Sequence, residues 1–482
     1  MSKIISNNDA FSDFSALSAH LDNLGLFRMR PGLTRVKAVL NHLGLLRPPF
    51  LVAQVAGTNG KGSAATMLAA LAREHGLKSG LHTSPHLLSV RERIRIDGQM
   101  LDENTWTRLG NTLMAHGGGE LTYFEFVTTL AVLAFARHGI DLAVMETGLG
   151  GRFDATTAME ADLLVFTPID LDHQNVLGNS LAVIAADKAG AIRPGKPVLS
   201  YAQKPEAMHE LRIAAKAKGS ALQVLAGNDP LFADESIASL PLSLAGPHQL
   251  ENARLALAAW RLLTKSKDFE GSDALLSRPP APGQAAVPNR SRAATAPGEP
   301  ARADSLPATG REAAALRRAW LPGRMHFIAP GAATRPGDPF AASAAGRPAL
   351  LLDGAHNSHG LAALGLALAG AGIAPGAVIF SCLQDKDIEA LLPLLRSLAT
   401  GPVFVPPIAG NPRACEPAEL ARAIGLSARP TSSLAEALTL AARHMAERLP
   451  EAFAPAHRRN PLLICGSLYM LGEFYTIFPE FM

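Results

Sequence analysis

The chain is short of cysteine, of large aromatic side chains and of net charge, and each shortage removes a class of function. Its three cysteines, Cys382, Cys415 and Cys465, are odd in number and widely spaced. They form neither a disulfide framework nor a metal-ligand spacing, so a reducing cytoplasm is the expected compartment. Four Tyr, three Trp and a formal charge of +3 provide no base-stacking platform and no general case for a nucleic-acid partner. No apolar run reaches the roughly 18 residues that a membrane helix needs. The N-terminus also lacks the charged-then-apolar order of a signal peptide. At 482 residues the chain is long enough for two or three domains and a large core.

From Leu51 to about Ser200, short β-rich runs alternate with longer helical patterns. That alternation predicts an α/β domain with a mostly parallel sheet covered by helices. Strands are expected at Leu51 to Val55, Lys78 to His82, Asp141 to Glu146, Leu163 to Ile169 and Pro197 to Tyr201. Helices are expected at Phe124 to Arg137, Leu181 to Ala191 and Gln249 to Leu263. Between Ser266 and Thr309 the composition turns to Pro, Ala, Gly, Ser and Arg, which reads as a linker or insertion. A second, smaller α/β series follows, Rossmann-like in its alternation, with strands at Ala349 to Leu352, Ala377 to Cys382, Pro402 to Val405 and Pro461 to Cys465. The expected layout is a P-loop domain over 1–265, a low-complexity segment over 266–318 and a C-terminal domain over 319–482.

Chemistry-bearing residues gather at the ends of these strands. Gly57, Thr58, Asn59, Gly60, Lys61, Gly62 and Ser63 follow the first strand and open a helical run. The glycines let backbone N–H groups turn inward around an anion, and the helix N-terminus adds partial positive charge. Lys61 would reach the outer phosphates and Ser63 would offer a hydroxyl to Mg²⁺. The spacing is shorter than G-x-x-x-x-G-K-[ST], and Gly62 stands between the lysine and the hydroxyl residue. Glu146 ends a buried strand beside this loop, where a nucleotide's Mg²⁺ is usually held; capping of the next turn is the plainer alternative. Ser84 sits at the same sheet edge, in what would otherwise be a turn. His173 closes another strand, but Mg²⁺ prefers oxygen, so the residues alone leave its role open. Lys188 lies late in a helical stretch and could simply face solvent. In the second half, Arg324 could neutralise charge on a transferring phosphoryl group. Asp353, His356 and Asn357 together close a strand there; a polar turn is the bland reading.

These motifs resemble the folylpolyglutamate synthase family of Mur-type amide ligases, in particular its bacterial branch that also acts as dihydrofolate synthase. The matching pieces run in the family's order over about residues 30 to 470: the 57–63 loop, Ser84 to Leu87 with Glu92 and Arg93, Leu121 to Phe126, Glu146 to Arg152 with Asp154 to Thr156, and Leu171 to His173. Asp187 to Gly190, His248 and Gln249 with Asn252, Gly323 with Arg324, and Asp353 to Asn357 complete them. Three departures are mild: Asp187 stands where Glu is usual, Ala191 where a branched residue is common, and Ser358 where Pro often follows the His-Asn pair.

The resemblance implies an ADP-forming ligase with ATP and two Mg²⁺ ions as cofactors. Ser84, Glu146 and His173 would ligate the metals, with Ser63 near the first. Lys188 resembles the family's lysine that takes up CO₂ as a carbamate. Asn252 would meet adenine, while Arg324, Asp353 and His356 would close over ATP. Thr122, Tyr123, Phe124 and Glu125, with Phe153, Asp154 and Ala155, match the segments that hold the pterin. The implied partners are dihydropteroate or folates, L-glutamate and ATP, with no nucleic acid or membrane, and the implied state is a monomer. A monofunctional folylpolyglutamate synthase is the nearest alternative. A Mur-type ligase on a nucleotide-linked peptide fits the Thr122 to Phe126 and Ser84 to His86 runs less well. A silent nucleotide-binding homologue sits poorly with intact Lys61, Glu146, His173, Lys188 and Asp353.

Overall fold

The computed structural model describes residues 10–26, 28–225, 242, 246–265, 310–332, 338–343, 345–425, 428–454 and 459–482. The stretch from 266 to 309, read above as a linker or insertion, lies outside the described residues.

An eight-stranded sheet organises the N-terminal half. Its strands are β1 (Leu51–Ala56), β2 (Ser79–His82), β3 (Ile94–Ile96), β4 (Gln99–Met100), β5 (Leu142–Glu146), β6 (Leu163–Phe166), β7 (Val198–Tyr201) and β8 (Leu222–Leu225), in the order β4-β3-β2-β5-β1-β6-β7-β8. In that order every pair from β2 to β8 is parallel, and the β2–β3 and β3–β4 pairs at one edge are antiparallel. Strands β1, β5 and β6 are buried along their whole length, as expected for a parallel sheet with helices on both faces.

One face is covered by the Tyr123–His138 helix, which carries Phe126, Leu130 and Phe135 into the core. The helix begins where the Glu125 carboxylate accepts from the Thr122 N–H at 2.8 Å and ends on left-handed Gly139. The other face is covered by the Lys61–Glu74 helix, on which the Pro247–Lys265 helix packs. A correction concerns residues 310 to 318, grouped with the low-complexity segment by composition. They form a helix, Gly310–Arg318, that also packs on Lys61–Glu74 and buries Ala315 and Leu316 in the same core. Burying one such Leu stabilises by about 2 kcal/mol. The Ala- and Arg-rich composition hid an amphipathic helix whose Glu312 pairs with Arg261 at 3.2 Å.

The C-terminal half carries a six-stranded sheet in the order β13-β12-β11-β14-β10-β9. The strands are β9 (His326–Ile328), β10 (Leu350–Asp353), β11 (Ala377–Phe380), β12 (Val403–Val405), β13 (Ala428–Pro430) and β14 (Leu462–Cys465). All pairs are parallel except β9 with β10. The carboxyl ends of β1, β5 and β6 face those of β10 and β11 across a cleft, the usual place for a ligand in open α/β sheets. Among the described residues no helix is long and apolar enough to cross a membrane.

Candidate active site

The glycine loop after β1 is shaped by close approaches. Gly57 (φ 140°) and Gly60 (φ 85°) have backbones that L side chains rarely adopt. A Cβ on Gly57 would run into the side chain and carbonyl of Thr167, and one on Gly60 into the Asn252 amide. Gly60 then caps the Lys61–Glu74 helix, leaving that helix's first N–H groups aimed at the cleft. Lys61 Nζ donates to the Thr58 carbonyl at 2.9 Å. Burial pulls its pKa down, against the attraction of Glu146 and Asp172.

Glu146, at the end of β5, is 4% exposed. Its Oε2 accepts from the Ser84 N–H at 2.8 Å, and Gly62 lies so near that a Cβ there would sit 3.3 Å from the same oxygen. Burial raises the carboxyl's pKa, with Lys61 the main opposing influence. Inside the sheet, Gln54 of β1 ties this strand end down: its Nε2 lies 3.2, 2.9 and 2.8 Å from the hydroxyls of Thr147, Thr156 and Thr157.

Lys188, which helical spacing alone could have left in solvent, is 4% exposed. Its Nζ donates to the Gly57 carbonyl at 2.7 Å, which puts the amine directly behind the glycine loop. Burial, helped by Lys61, pulls its pKa down to about 7. The backbone around it is crowded: a Cβ on Gly151 would meet the Lys188 main chain, and Gly151 N–H donates to the Asp187 carboxylate at 3.0 Å.

Across the cleft, Asp353 ends β10 and accepts from the Met325 and Ala355 N–H groups, both at 2.8 Å. These bonds fix the turn that presents Arg324 and His356. Arg324 packs against Gly354, where any Cβ would strike its guanidinium. His356 Nδ1 lies 2.7 Å from the Gly354 carbonyl, and burial with Lys386 nearby pulls its pKa to about 4.

The halves are joined through Asp172. Its carboxylate accepts from Lys386 Nζ at 2.7 Å and from Asn357 Nδ2 at 2.8 Å, while Asn357 and Asn59 exchange amide bonds at 3.1 and 3.3 Å. Burial pushes the Asp172 pKa up, but His173, Lys386 and His356 outweigh it and hold the group well below the usual carboxylate range.

One cleft thus gathers Thr58, Asn59, Gly60, Lys61, Gly62, Ser63, Ser84, Glu146, His173, Asn252, Arg324, Asp353 and His356. Gly57 and Lys188 lie immediately behind it. His173, at positive φ, is kept neutral at physiological pH because desolvation lowers its pKa to about 4. Among the described residues no three His, Cys, Asp or Glu side chains cluster as a metal cage. One carboxylate, two hydroxyls and an imidazole along one wall instead suit a cation completed by phosphate oxygens and water, as Mg²⁺ is commonly bound.

The two segments expected to hold the pterin adjoin the cleft through Gly148, which lines it. Thr122, Tyr123, Glu125, Asp154 and Ala155 are buried, and Phe153 is 54% exposed. Glu125 pairs with Arg35 at 2.8 Å, and Phe124 packs where a Cβ on Gly148 would otherwise sit. Asp154 accepts from the N–H groups of Gly148, Leu149 and Thr156 and from the Thr156 hydroxyl, so its carboxylate shapes the loop after β5. Sequence reasoning gave no role to Asp172, Lys386 or Gln54. A polar cluster closing a strand, as at Asp385, Lys386 and Asp387, was the available signal for the second.

A glycine loop on a strand-to-helix turn, a strand-end carboxylate and a second α/β half closing over both define a two-domain, ATP-dependent ligase. Residues 341–477 match the family model for "Dihydrofolate synthetase, C-terminal domain". The dihydrofolate synthase/folylpolyglutamate synthase of Bacillus subtilis is 30% identical over 400 residues, covering 77% of this chain and 80% of that protein. The Escherichia coli FolC structure in complex with DHPP and ADP superposes with a TM-score of 0.70 at 26% identity, over 98% of this chain and 99% of that one. The bifunctional synthase of Yersinia pestis complexed with AMPPNP and Mn gives 0.72 at 25% identity, over 98% and 100%. This chain belongs to the dihydrofolate synthase/folylpolyglutamate synthase family.

Proposed function

We propose that this protein joins L-glutamate to dihydropteroate, giving dihydrofolate, and to the terminal γ-carboxylate of reduced folates, lengthening their γ-glutamyl chain. The γ-phosphoryl group of ATP passes to the acceptor carboxylate. The glutamate amine then attacks the acyl phosphate carbon, phosphate leaves and the amide forms. The observation that carries this reading is the convergence of Lys61, Glu146, Arg324 and Asp353 on one cleft in a chain of this family.

Lys61 and Arg324 neutralise the transferring phosphoryl group, so positioning and charge supply most of the rate. Ser84, Glu146 and His173, with Ser63 near the first, would hold two Mg²⁺ ions, which would supply charge neutralisation at the phosphates. Asn252 meets the adenine, and Asp353 and His356 complete the cleft from the C-terminal side. Thr122 to Glu125 and Phe153 to Ala155 hold the pterin. Lys188 carries a carbamate; an amine with a pKa lowered to about 7 is unprotonated often enough near neutrality to take up CO₂. Residues 1–265 bind ATP and folate, 319–482 form the glutamate ligase domain, and the enzyme works as a cytoplasmic monomer.

The test is ADP release by purified protein with Mg²⁺ and glutamate, comparing dihydropteroate with tetrahydrofolate. Turnover with both is the expected result. Turnover with tetrahydrofolate alone reduces the reading to a polyglutamate synthase, and turnover with neither overturns it.

A further inference from the structure

The chain passes from the Gly310–Arg318 helix, packed in the N-terminal core, to β9 of the C-terminal sheet through residues 319–325. Arg324 lies in that passage and lines the ATP cleft. Both of its neighbours have left-handed backbones, Gly323 at φ 69° and Met325 at φ 47°. A non-glycine residue persists in that region only where its surroundings over-determine it.

Two of the pins on this turn come from the end of β10. Gly354 N–H donates to the Gly323 carbonyl at 2.8 Å, and Met325 N–H donates to Asp353 at the same distance. The third pin comes from a separate element. Tyr475 is fully buried in the Leu468–Ile477 helix, and its hydroxyl accepts from the Gly323 N–H at 3.0 Å. One turn earlier on the same helix, Leu471 closes over Gly323, where a Cβ would come within 2.8 Å of its Cδ1.

The Tyr475 hydroxyl proton has an acceptor of its own, His326 Nδ1, 2.8 Å away. The two rings stack with 13° between their planes, and Trp320 meets His326 edge-on. Burial raises the Tyr475 pKa and lowers that of His326, so both rings are neutral near pH 7. The phenol then has a proton to give and the imidazole a nitrogen to receive it. Neither ring lines the ATP cleft, and a neutral phenol holds the turn without drawing on the charge of Arg324.

We propose that Tyr475, backed by His326, is a positioning residue for Arg324: the hydrogen-bond chain from Gly323 through Tyr475 to His326 holds the guanidinium where the outer phosphate of ATP is met. The inference rests on the ligase reading above for what Arg324 meets. ADP lacks the outer phosphate, so loosening the turn weakens a nucleoside triphosphate and spares the diphosphate.

The test is calorimetry of the ATP analogue AMPPNP and of ADP, each with Mg²⁺, on wild type, Tyr475→Phe, Arg324→Gln and the double variant. Tyr475→Phe should weaken AMPPNP about five-fold, the scale of one neutral hydrogen bond. ADP should stay within about two-fold, which also shows that the variant folds. In the Arg324→Gln background Tyr475→Phe should cost nothing further. Equal weakening of both nucleotides, no weakening of either, or full additivity in the double variant overturns the positioning role. So does Arg324→Gln that binds AMPPNP as wild type does. His326→Leu should weaken AMPPNP about three-fold, and His326→Asn, which keeps an acceptor near the Nδ1 position, should restore it; an equal loss in both overturns the part given to His326. In the ADP-release assay kcat of Tyr475→Phe should fall about ten-fold, as for a displaced catalytic group, with KM for L-glutamate within about two-fold. An unchanged kcat in an active enzyme overturns the proposal. If wild type turns over no acceptor the ligase reading fails, and the calorimetry, which needs no turnover, still decides whether Tyr475 positions Arg324.

Discussion

The two walls of the ATP cleft are held in different ways. On the N-terminal wall, Glu146 and Lys188 are both 4% exposed, and Lys61 sits between them with its pKa displaced by burial. Glu146 attracts Lys61, and Lys61 in turn repels Lys188 behind the glycine loop. On the C-terminal wall, Asp353 spends both oxygens on backbone N–H groups, and His356 turns a ring nitrogen to the Gly354 carbonyl. That wall is shaped by its own turn and meets the other through Asp172, Asn357 and Lys386. The difference teaches that the N-terminal wall carries electrostatics prepared before ATP arrives, whereas the C-terminal wall supplies groups that act by being brought into place.

The largest effect should come from the prepared wall. Lys61→Ala or Glu146→Gln should lower kcat/KM by about 10²–10³ or more, the scale of losing one transition-state charge partner, while circular dichroism stays unchanged. Retained turnover in either variant would break the contrast. Next comes the link between the walls. Asp172 and Lys386 are 8% and 7% exposed, so Asp172→Ala strands a buried cation and should cost about 3–5 kcal/mol of stability, read by urea unfolding. Because the folded-state pKa of Asp172 is depressed, its contribution is complete above the ordinary carboxylate range and is lost only as pH falls below it. The gap between wild type and variant should therefore hold from pH 7 to about 4.5.

A smaller, graded effect belongs to Lys188. With its pKa pulled down to about 7, activity should rise with pH through that value and depend on dissolved CO₂, and Lys188→Arg should abolish both dependences. The linkage has a definite sign. Between about 7 and the ordinary lysine value the unfolded chain holds a proton that the folded one lacks, so this group makes stability rise with pH across that window. The smallest effect is expected at Phe153, which is 54% exposed. Phe153→Ala should change stability by less than about 0.5 kcal/mol, yet raise KM for dihydropteroate several-fold if the exposed ring has the proposed pterin contact.

Much of this was legible because the signals are local. The glycine loop, Glu146, Ser84 and the Asp353 to Asn357 turn each close a predicted strand, and the structure brings them to one cleft. Strands β3, β4, β8, β9 and β13 were not legible, since runs of two to four residues at or next to a sheet edge carry too little period to register. The burial of Lys188 was hidden because the Leu181–Ala189 helix is apolar nearly all round, so spacing does not mark which side faces out. The Lys386–Asp172 bridge joins residues 214 positions apart, a pairing that no window of sequence contains. The Gly310–Arg318 helix was lost to its Ala- and Arg-rich composition.

In the proposed reaction ATP's γ-phosphoryl group passes to the acceptor carboxylate before the amide forms. The most direct measurement is oxygen-isotope transfer from dihydropteroate labelled with ¹⁸O in its carboxylate, in the presence of ATP, Mg²⁺ and glutamate. One labelled oxygen is expected in each phosphate released. Unlabelled phosphate accompanying amide formation would contradict it.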